Sequence, residues 1–148
     1  MQVKDVMTSN PACCLPETSL VEVARMMIDF DCGEIPVVES VETKIPLGVI
    51  TDRDIVCRTV GKGINPMDMS AGEIMSAPII AVMPDMSFEE CCRVMEENQI
   101  RRVPVVDASG ACCGIVALAD ITKYATEKEA GEVLEEVSAD IGAASNVA

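Results

Sequence analysis

The chain contains the stretch Gly-Val-Ile-Thr-Asp-Arg-Asp-Ile at residues 48–55 and the related stretch Gly-Ile-Val-Ala-Leu-Ala-Asp-Ile at residues 114–121. In both stretches, an apolar run typical of a buried strand is followed at once by residues that favour the start of a helix. The same strand-to-helix pattern occurs twice, which indicates that the chain is built from two copies of one unit.

Three other segments also occur twice, in the same order. Their copies are equally far apart, whereas residues 48–55 and 114–121 are two residues closer together. The difference falls between two predicted strands, in the polar connection 40–46 of the first copy and 108–113 of the second, as expected because insertions are tolerated in loops. Two copies therefore fill the chain from Val3 to about Thr126. The paired segments are Val6–Thr8 with Ile74–Ser76, Pro16–Leu20 with Pro84–Phe88, and Ile35–Glu39 with Val103–Asp107.

Each copy has the pattern of a strand, a helix, two strands and a second helix. The first helix begins with Ser-x-x-Glu at residues 19–22 and again at 87–90. This spacing is typical of a capping box, in which the serine hydroxyl and the glutamate carboxylate each accept an N–H of the first turn. The extended pieces before these helices are predicted at 11–15 and 78–83, the paired strands of the first copy at 35–38 and 47–50, and the second helices over 51–59 and from 118.

The predicted fold class is therefore α/β (α+β), with two β-α-β-β-α repeats. Gly61-Lys62-Gly63 ends the first repeat because glycine terminates helices. Five glutamates lie in a separate acidic segment near the end of the chain, at residues 127, 129, 132, 135 and 136. We predict the first repeat at 1–64, a linker at 65–73, the second repeat at 74–126, and at 127–148 an acidic helix (127–140) with a frayed tail (141–148).

The composition excludes several classes of function. The chain has 148 residues, 11 basic and 25 acidic side chains and a net charge of −14, which argues against binding to nucleic acid or to an anionic membrane. The absence of histidine removes the commonest general base and metal ligand. The apolar runs are too short to cross a bilayer, and the N-terminus lacks the apolar core of a signal peptide. We expect a soluble cytoplasmic protein that is not an enzyme.

Six of the eight cysteines occur as adjacent pairs, at 13–14, 91–92 and 112–113. No C-x-x-C motif is present, so the sequence matches neither the zinc-ribbon nor the thioredoxin pattern. Most of these cysteines are interpreted as small buried hydrophobic residues, with the 91–92 pair on the core face of its helix. We expect reduced thiols and no bound metal. The alternative is a thiol metal site or redox sensor that uses Cys13 and Cys14 with Cys32.

The motif Thr51-x-x-Asp54 has two interpretations. A threonine at a helix start and a carboxylate three residues later cap the exposed N–H groups of the first turn. The motif also follows a buried strand directly, and a helix N-terminus at such an edge is a natural anion site. A carboxylate can in addition accept hydrogen bonds from both vicinal hydroxyls of a ribose.

The element order, the Ile-Pro-Val-Val and Val-Pro-Val-Val strands and residues 48–54 together resemble the CBS domain, named after cystathionine β-synthase. Two tandem copies with little else are similar to stand-alone CBS pairs, or Bateman modules. Residues 51–73 resemble those of the small hypoxic-response type. The resemblance implies two repeats related by a pseudo-twofold axis, a disc-like homodimer, and an adenine nucleotide bound in a cleft between the repeats.

The resemblance also implies roles for individual residues of a main site. Thr51 would lie near the phosphate or ribose, and Asp54 would accept the ribose hydroxyls. The backbone of the opposing extended segment would read the adenine edge, and three arginines would surround the phosphates. The complete predicted site comprises Thr51, Arg53, Asp54, Pro78, Ile79, Ile80, Ala81, Arg101, Arg102, Val103 and Pro104.

A second, weaker site is expected at the equivalent positions of the other repeat. Asp120 takes the place of Asp54, but Ala117 replaces the threonine, and the phosphate end would meet Glu34. We expect this site to be empty or to hold an uncharged adenosine-like group. Its predicted residues are Pro11, Ala12, Cys13, Gly33, Glu34, Ile35, Ala117 and Asp120.

The sequence thus predicts a non-enzymatic regulatory module that binds AMP, ADP or ATP and signals to an effector protein. It requires no cofactor, since the nucleotide would be a regulatory ligand. A cysteine nucleophile would lack a histidine base, which argues against catalysis. The alternatives are the thiol or metal sensor on the same scaffold and a structural dimer without a small ligand.

Overall fold

The computed structural model describes residues 1–145, with side chains described as far as residue 139. Helices and strands occur in mixed order along the chain, which confirms the predicted α+β class. The helices are α1 (Val3–Val6), α2 (Leu20–Asp29), α3 (Asp52–Arg58), α4 (Ala71–Ile74), α5 (Phe88–Asn98), α6 (Leu118–Tyr124) and α7 (Glu127–Ser145). The strands are β1 (Thr8–Ser9), β2 (Glu34–Val38), β3 (Pro46–Thr51), β4 (Arg102–Val106) and β5 (Cys112–Ala117), and short 3-10 helices span Val60–Lys62 and Pro66–Asp68.

The chain divides into two compact units, which we name after their strands. The β2–β3 unit comprises residues 10–80 and 107–112. The β4–β5 unit comprises residues 1–9, 81–106 and those from 113 onward. Each unit therefore combines segments that are far apart in the sequence.

The β2–β3 unit is built on an antiparallel hairpin. Its strands pair from Glu34 opposite Thr51 to Val38 opposite Pro46, with an irregularity between Val37 and Val38. Helix α2 packs on this hairpin because Leu20 and Val23 recur at helical spacing on its buried face. The core of the unit is formed by Cys14, Leu20, Val23, Ile35, Val37, Ile50, Ala71 and Ile74.

The β4–β5 unit contains a three-stranded sheet in the order β1-β5-β4. Strand β1 pairs antiparallel with β5 through Thr8 opposite Ile115 and Ser9 opposite Gly114. The apolar face of α5 covers the core, and Cys91 and Cys92 lie on it, 0% and 8% exposed, which confirms their predicted burial. The other core residues include Val3, Val6, Val82, Phe88, Met95, Val103, Val105, Val116, Ile121, Val133 and Val137.

The first strand predicted in each repeat is reduced to a single parallel bridge. Cys14 bridges Val37, and Val82 bridges Val105. In the first case the Cys14 N–H donates to the Pro36 carbonyl at 3.0 Å, and the Val38 N–H donates to the Cys14 carbonyl at 2.8 Å. Prolines flank both extended pieces, at 11 and 16 and at 78 and 84, and their missing N–H groups prevent a longer ladder.

The predicted helix caps form, with one difference between the copies. At α5 the capping box is complete, since Ser87 Oγ accepts the Glu90 N–H at 3.1 Å and the Glu90 carboxylate accepts the Ser87 N–H at 3.4 Å. At α2 the serine half forms, with Ser19 Oγ accepting the Glu22 N–H at 3.2 Å. The backbone around Ser19 instead forms an antiparallel bridge with Ser70.

Segment 65–73, predicted as a linker, is largely structured and helps to form a core. It contains the 3-10 helix Pro66–Asp68 and the start of α4, whose Ala71 is fully buried in the β2–β3 unit. The Gly72 N–H donates to the Pro16 carbonyl at 2.8 Å. In the β4–β5 unit, α1 makes the equivalent hydrogen bond, in which the Lys4 N–H donates to the Pro84 carbonyl at 2.9 Å. Thus α1, from the first repeat, packs in the β4–β5 unit, and α4, from the second repeat, packs in the β2–β3 unit.

The acidic C-terminal helix is longer than predicted. Helix α7 begins at Glu127 as expected but continues through Ser145, beyond the predicted end at residue 140. Val133 and Val137 are buried against α5. These two valines form an apolar stripe on an otherwise acidic helix. The end of the predicted frayed tail, residues 146–148, lies outside the described residues. In the described part of the chain, no helix has the length and apolar character needed to span a membrane.

Candidate functional site

The end of β3 and the start of α3 bring Thr51 and Asp54 together as a complete capping box. Asp54 Oδ2 accepts the Thr51 N–H at 3.0 Å, and Thr51 Oγ1 accepts the Asp54 N–H at 3.0 Å. Thr51 has extended backbone dihedral angles, which directs the first turn of α3 away from the strand. The predicted capping interpretation is therefore confirmed, and the motif also presents one carboxylate at the strand-to-helix junction.

Two further residues contact the Asp54 carboxylate. The Ser76 hydroxyl donates to both carboxylate oxygens at 3.4 Å, and Arg58 Nε lies 3.6 Å from Oδ1. Arg58 also donates to the carbonyls of Ile74 and Met75 at 2.9 and 3.0 Å. The Asp54 side chain is 14% exposed, so it is nearly enclosed by these partners but still reached by solvent.

Gly48 allows the Ser76 backbone to approach β3. Val49 and Ser76 exchange two backbone hydrogen bonds, at 3.0 and 2.8 Å. A Cβ atom on Gly48 would lie 2.6 Å from the Ser76 carbonyl oxygen, closer than real contacts allow. The glycine before the strand-to-helix junction is therefore needed to place the Ser76 hydroxyl beside Asp54.

Arg58 and Ser76 were absent from the predicted site. Arg58 could have been found, because residues four apart on a helix face one another and Asp54 and Arg58 have opposite charges. Ser76 had no comparable signal, since its approach depends on the pairing of residue 76 with β3. Only the contacts among Thr51, Asp54 and Arg58 can therefore be predicted from the sequence, because these residues lie within two turns of one another.

The other predicted residues of this unit differ in exposure. Arg53 is exposed, and its N–H donates to Asp52 Oδ1 at 2.8 Å. Pro78 and Ile80 are exposed, Ile79 is half-buried, and all three follow Ser76 in the same unit. Their side chains are thus accessible a few residues from the contact between Ser76 and Asp54.

Glu34 lies opposite Thr51 in the hairpin and is 7% exposed. Glu34 was predicted in the second site, but the register also makes it a direct cross-strand neighbour of Thr51. A carboxylate next to Thr51 disfavours a phosphate at this point and favours a ligand hydroxyl, because like charges repel. The remaining predicted second-site residues of this unit are Pro11, Ala12, Cys13, Gly33 and Ile35.

In the β4–β5 unit, Asp120 repeats the carboxylate half of the box. Asp120 Oδ2 accepts the Ala117 N–H at 2.8 Å, but Ala117 has no hydroxyl to accept a hydrogen bond in return. The Leu118 N–H donates to the Arg101 carbonyl at 3.0 Å, which fixes the Arg101 backbone beside the start of α6.

The other predicted residues of the β4–β5 unit lie at the start of β4 and just before Val82. The Arg101 side chain is exposed and Arg102 is half-buried. Val103 and Pro104 are buried, and the Pro104 carbonyl accepts the Val82 N–H at 3.0 Å next to Ala81. This unit therefore places two arginines at the start of β4, while the extended segment pairs with Val105 nearer the end of the strand.

A groove between α5 and α7 is a poor candidate for a nucleotide. Four glutamates line it, and neither Arg101 nor Arg102 does. Burial, together with Glu132 and Glu136, raises the pKa of Glu96 above its ordinary value. Because this groove is already acidic, a phosphate group would be repelled. The lining residues are Phe88, Glu89, Cys92, Glu96, Glu129, Glu132 and Val133.

The predicted set of Cys13, Cys14 and Cys32 does not form a metal cluster. Among the residues that the structure describes, no group of three or more His, Cys, Asp or Glu side chains is arranged to hold a metal ion. Burial raises the pKa of Cys14 to about 12, with Cys13 and Glu22 adding to the effect, so this thiol carries little thiolate at neutral pH. Cys32 packs against the apolar core of its unit.

The two copies of the helix cap provide a matched test of the threonine hydroxyl. Thr51 and Ala117 have nearly the same backbone angles, φ −109°, ψ 161° and φ −115°, ψ 164°. Thr51→Ala should cost about 1 kcal/mol of stability, and Ala117→Thr should stabilise by a similar or smaller amount, because a cap hydroxyl is removed or added. Urea unfolding monitored by circular dichroism measures both. A Thr51→Ala variant as stable as the parent would contradict the assigned cap.

The comparison with protein families identifies both repeats. The family model for the CBS domain matches residues 3–59 and 71–127. The chain is 37% identical over 137 residues to the CBS domain-containing protein YhcV of Bacillus subtilis, covering 92% of this chain and 94% of that protein. It is 34% identical over 124 residues to Hypoxic response protein 1 of Mycobacterium tuberculosis, covering 84% and 85%. An uncharacterized protein of Methanopyrus kandleri is 40% identical over 118 residues, which are 80% of this chain but 57% of that protein.

Solved structures give the same result. Hypoxic Response Protein I with two coordinated zinc ions matches with a TM-score of 0.75 and 32% identity, covering 85% of this chain and 100% of that one. CBSX2 in complex with AMP matches with a TM-score of 0.69 and 25% identity, covering 82% and 93%. The CBS domain pair of protein MJ0100, in complex with 5′-methylthioadenosine and S-adenosyl-L-methionine, has a TM-score of 0.73 and 26% identity, covering 83% and 94%. The chain therefore belongs to the CBS-domain family, with two CBS domains in tandem.

Proposed function

We propose that this chain is a regulatory module that binds an adenine nucleotide (AMP, ADP or ATP) and is not an enzyme. The observation that carries the proposal is the Asp54 carboxylate, held at the β3–α3 junction by the Thr51 N–H and still partly exposed. Relatives of the same fold, CBSX2 and the MJ0100 pair, hold AMP and adenosyl compounds in their structures. Relatives that this chain covers almost completely, such as YhcV and CBSX2, support a regulatory rather than a catalytic role.

A ribose could replace the weaker partners of Asp54 at small cost. The contacts to Ser76 and Arg58, at 3.4 and 3.6 Å, are longer than ordinary hydrogen bonds to a carboxylate. The Thr51 N–H, at 3.0 Å, would keep the carboxylate oriented during this exchange. Two vicinal hydroxyls could then donate to the Asp54 carboxylate oxygens. The role of Arg101 and Arg102 at the phosphates remains the prediction made from the family resemblance.

Signalling would follow from a difference in affinity between two states of the protein. A ligand shifts a conformational equilibrium only by its differential affinity for the two states. The nucleotide would favour one arrangement of the module, and an effector protein would recognise that arrangement. No cofactor is needed for this mechanism, because the nucleotide itself is the signal.

Isothermal titration calorimetry of the full chain with adenosine, AMP, ADP and ATP tests the proposal. We expect at least one of them to bind with a dissociation constant below about 1 mM. Repeating the titrations with reductant and with zinc tests the alternative sensor, because the matched Hypoxic Response Protein I structure holds zinc. Stoichiometric zinc binding without nucleotide binding would replace the proposed function by a metal sensor. The absence of both would leave a structural dimer.

We also propose that the module acts as a homodimer through the β2–β3 unit. Ile28 and Phe30 at the end of α2 are 78% and 64% exposed, and Val56 on α3 and Val60 in the following 3-10 helix are 57% and 61% exposed. Because α2 and α3 are in contact, these side chains lie on neighbouring helices, and a contiguous exposed apolar patch marks an interaction surface. Light scattering at micromolar concentration should give twice the 15.8 kDa chain mass, and Phe30→Ser should lower it towards one chain. A monomeric parent protein would contradict this proposal.

A further inference from the structure

Two thiols from distant parts of the sequence are in contact within the β2–β3 unit. Cys13 lies in the extended segment before the Cys14 bridge, and Cys112 lies at the start of β5. The Cys112 thiol is hydrogen-bonded to Cys13. Cys13 was predicted to act with Cys14 and Cys32, and nothing in the spacing of the cysteines indicates Cys112 as its partner.

The backbone holds both sulfur atoms in place. The Cys112 N–H donates to the Lys44 carbonyl at 2.8 Å, which anchors the start of β5 to the connection between β2 and β3. Next to Cys13, the Cys14 N–H donates to the Pro36 carbonyl at 3.0 Å. Cys13 Sγ itself donates to the Pro11 carbonyl at 3.4 Å. The two side chains therefore meet between segments that are each fixed to the same hairpin.

The two cysteines differ in exposure and acidity in a way that suits consecutive steps. Cys13 is half-buried, whereas Cys112 is 3% exposed. The Cys112 hydrogen bond and, more weakly, the nearby Lys44 ammonium lower the pKa of Cys13, although burial opposes them. A thiolate is the reactive form of cysteine, so Cys13 is suited to react first and Cys112 to react second.

We propose that Cys13 and Cys112 form a reversible disulfide by exchange with a low-molecular-weight disulfide. The Cys13 thiolate attacks one sulfur of the small disulfide, breaks its S–S bond and releases one small thiolate. Cys112 then loses its proton and attacks the Cys13 sulfur of the mixed disulfide, releasing the second small thiolate. The protein dithiol is oxidised by two electrons and the small disulfide is reduced to two thiols. A thiol reductant reverses both steps.

The structure favours this pair over the other cysteines. Burial raises the pKa of Cys91 to about 12 and that of Cys92 to about 11, so neither supplies thiolate at neutral pH. Adjacent cysteines such as Cys13 and Cys14 form strained disulfides, because the sulfur atoms of neighbouring residues meet the required geometry poorly. Cys57 is exposed on α3 and serves as the comparison for exposure alone.

The test is disulfide mapping of the full chain after incubation with oxidised glutathione at neutral pH. Acid quenching, blocking of remaining thiols and non-reducing peptide mass spectrometry should show a peptide pair linked through Cys13 and Cys112 as the main product. Dithiothreitol should remove the link. The same incubation in denaturant should spread the disulfides over other pairs, because the native contact is then lost.

Three variants separate the proposal from general thiol oxidation. Cys112→Ala should stop at a glutathione adduct on Cys13, and Cys13→Ser should abolish the link. Cys57→Ser should leave the link unchanged. In the Cys112→Ala variant, the pH at which iodoacetamide alkylates Cys13 should move upward, provided that circular dichroism shows a native fold. Preferential formation of another disulfide in the native parent, or a Cys13 no more reactive than Cys57, would overturn the proposal.

Discussion

Replacing Asp54 with alanine should weaken the binding of AMP by roughly 30- to 140-fold, equivalent to about 2–3 kcal/mol. The reason is that the ribose hydroxyls would lose their acceptor at the β3–α3 junction. Asp120→Ala should have a much smaller effect, because the second site lacks the threonine hydroxyl at Ala117. Calorimetric titration of the parent and both variants with adenosine, AMP and ATP measures the difference.

This comparison has a built-in control for stability. Asp54 and Asp120 each accept the N–H of a helix N-cap residue, at 3.0 and 2.8 Å, so both alanine variants lose this capping hydrogen bond, and Asp54→Ala also loses the contacts to Ser76 and Arg58. Asp54→Asn keeps an acceptor for the Thr51 N–H while removing the negative charge. If Asp120→Ala abolishes binding and Asp54→Ala does not, our ranking of the two sites is reversed.

Variants of Arg101 and Arg102 test which group of the ligand these two side chains contact. Arg101→Ala and Arg102→Ala should weaken ATP binding more than adenosine binding, because guanidinium groups recognise phosphates. Equal losses of affinity for adenosine and for ATP would mean that neither arginine contacts the phosphates. The buried Glu34 opposite Thr51 makes the contrast informative, since it disfavours phosphate on that side.

The second large effect is expected at Gly48. Gly48→Ala should destabilise the protein by about 1–3 kcal/mol, the usual cost of forcing extra atoms into a packed site. The added Cβ would meet the Ser76 carbonyl oxygen at 2.6 Å and Met75 Sδ at 2.9 Å. The sulfur can move with its side chain, but the carbonyl belongs to a backbone that is paired with Val49. The Ser76 hydroxyl would shift with it, so ligand binding should weaken as well.

Gly131→Ala is the matched control because the same methyl group is added in open space. Nothing lies within 4 Å of a Cβ at Gly131, which is in the middle of α7. Alanine is favoured over glycine inside a helix by up to about 1 kcal/mol, so this variant should be slightly more stable than the parent. Urea unfolding of both variants gives the comparison. A Gly48→Ala variant with an unchanged midpoint would mean that Ser76 can move away freely.

The local parts of the fold were predictable because their signals lie within a few residues. The Thr51 cap and the helix up to Arg58 follow from a Thr-x-x-Asp motif directly after an apolar strand. The serine at position 87 and the glutamate at position 90 likewise gave the start of α5. Because the two copies align in sequence, each element predicted in one copy was also predicted in the other.

The remaining features depend on contacts that no local pattern encodes. The approach of Ser76 to Asp54 requires β3 to pair with residue 76, and the contact between Cys13 and Cys112 joins segments that only the tertiary fold brings together. The extended pieces shortened to single bridges because flanking prolines outweighed their apolar character. Helix α7 continues past its expected end at residue 140, through Gly142, to Ser145, so a glycine near that point did not end the helix.

Because α1 belongs to the β4–β5 unit and α4 to the β2–β3 unit, neither core can be completed by one repeat alone during synthesis. Residues 10–64 cannot complete their core until Ala71 and Ile74 follow, and Val3 and Val6 have no core to join until the segments after residue 80 have been made. A fragment cut at the boundary between the repeats would therefore have both an apolar cavity in its core and an unburied opening helix. A single repeat carrying its own opening helix could fill that cavity only with the helix of a second copy. Tandem duplication within one chain supplies this missing helix at every protein concentration, whereas separate repeats would depend on association.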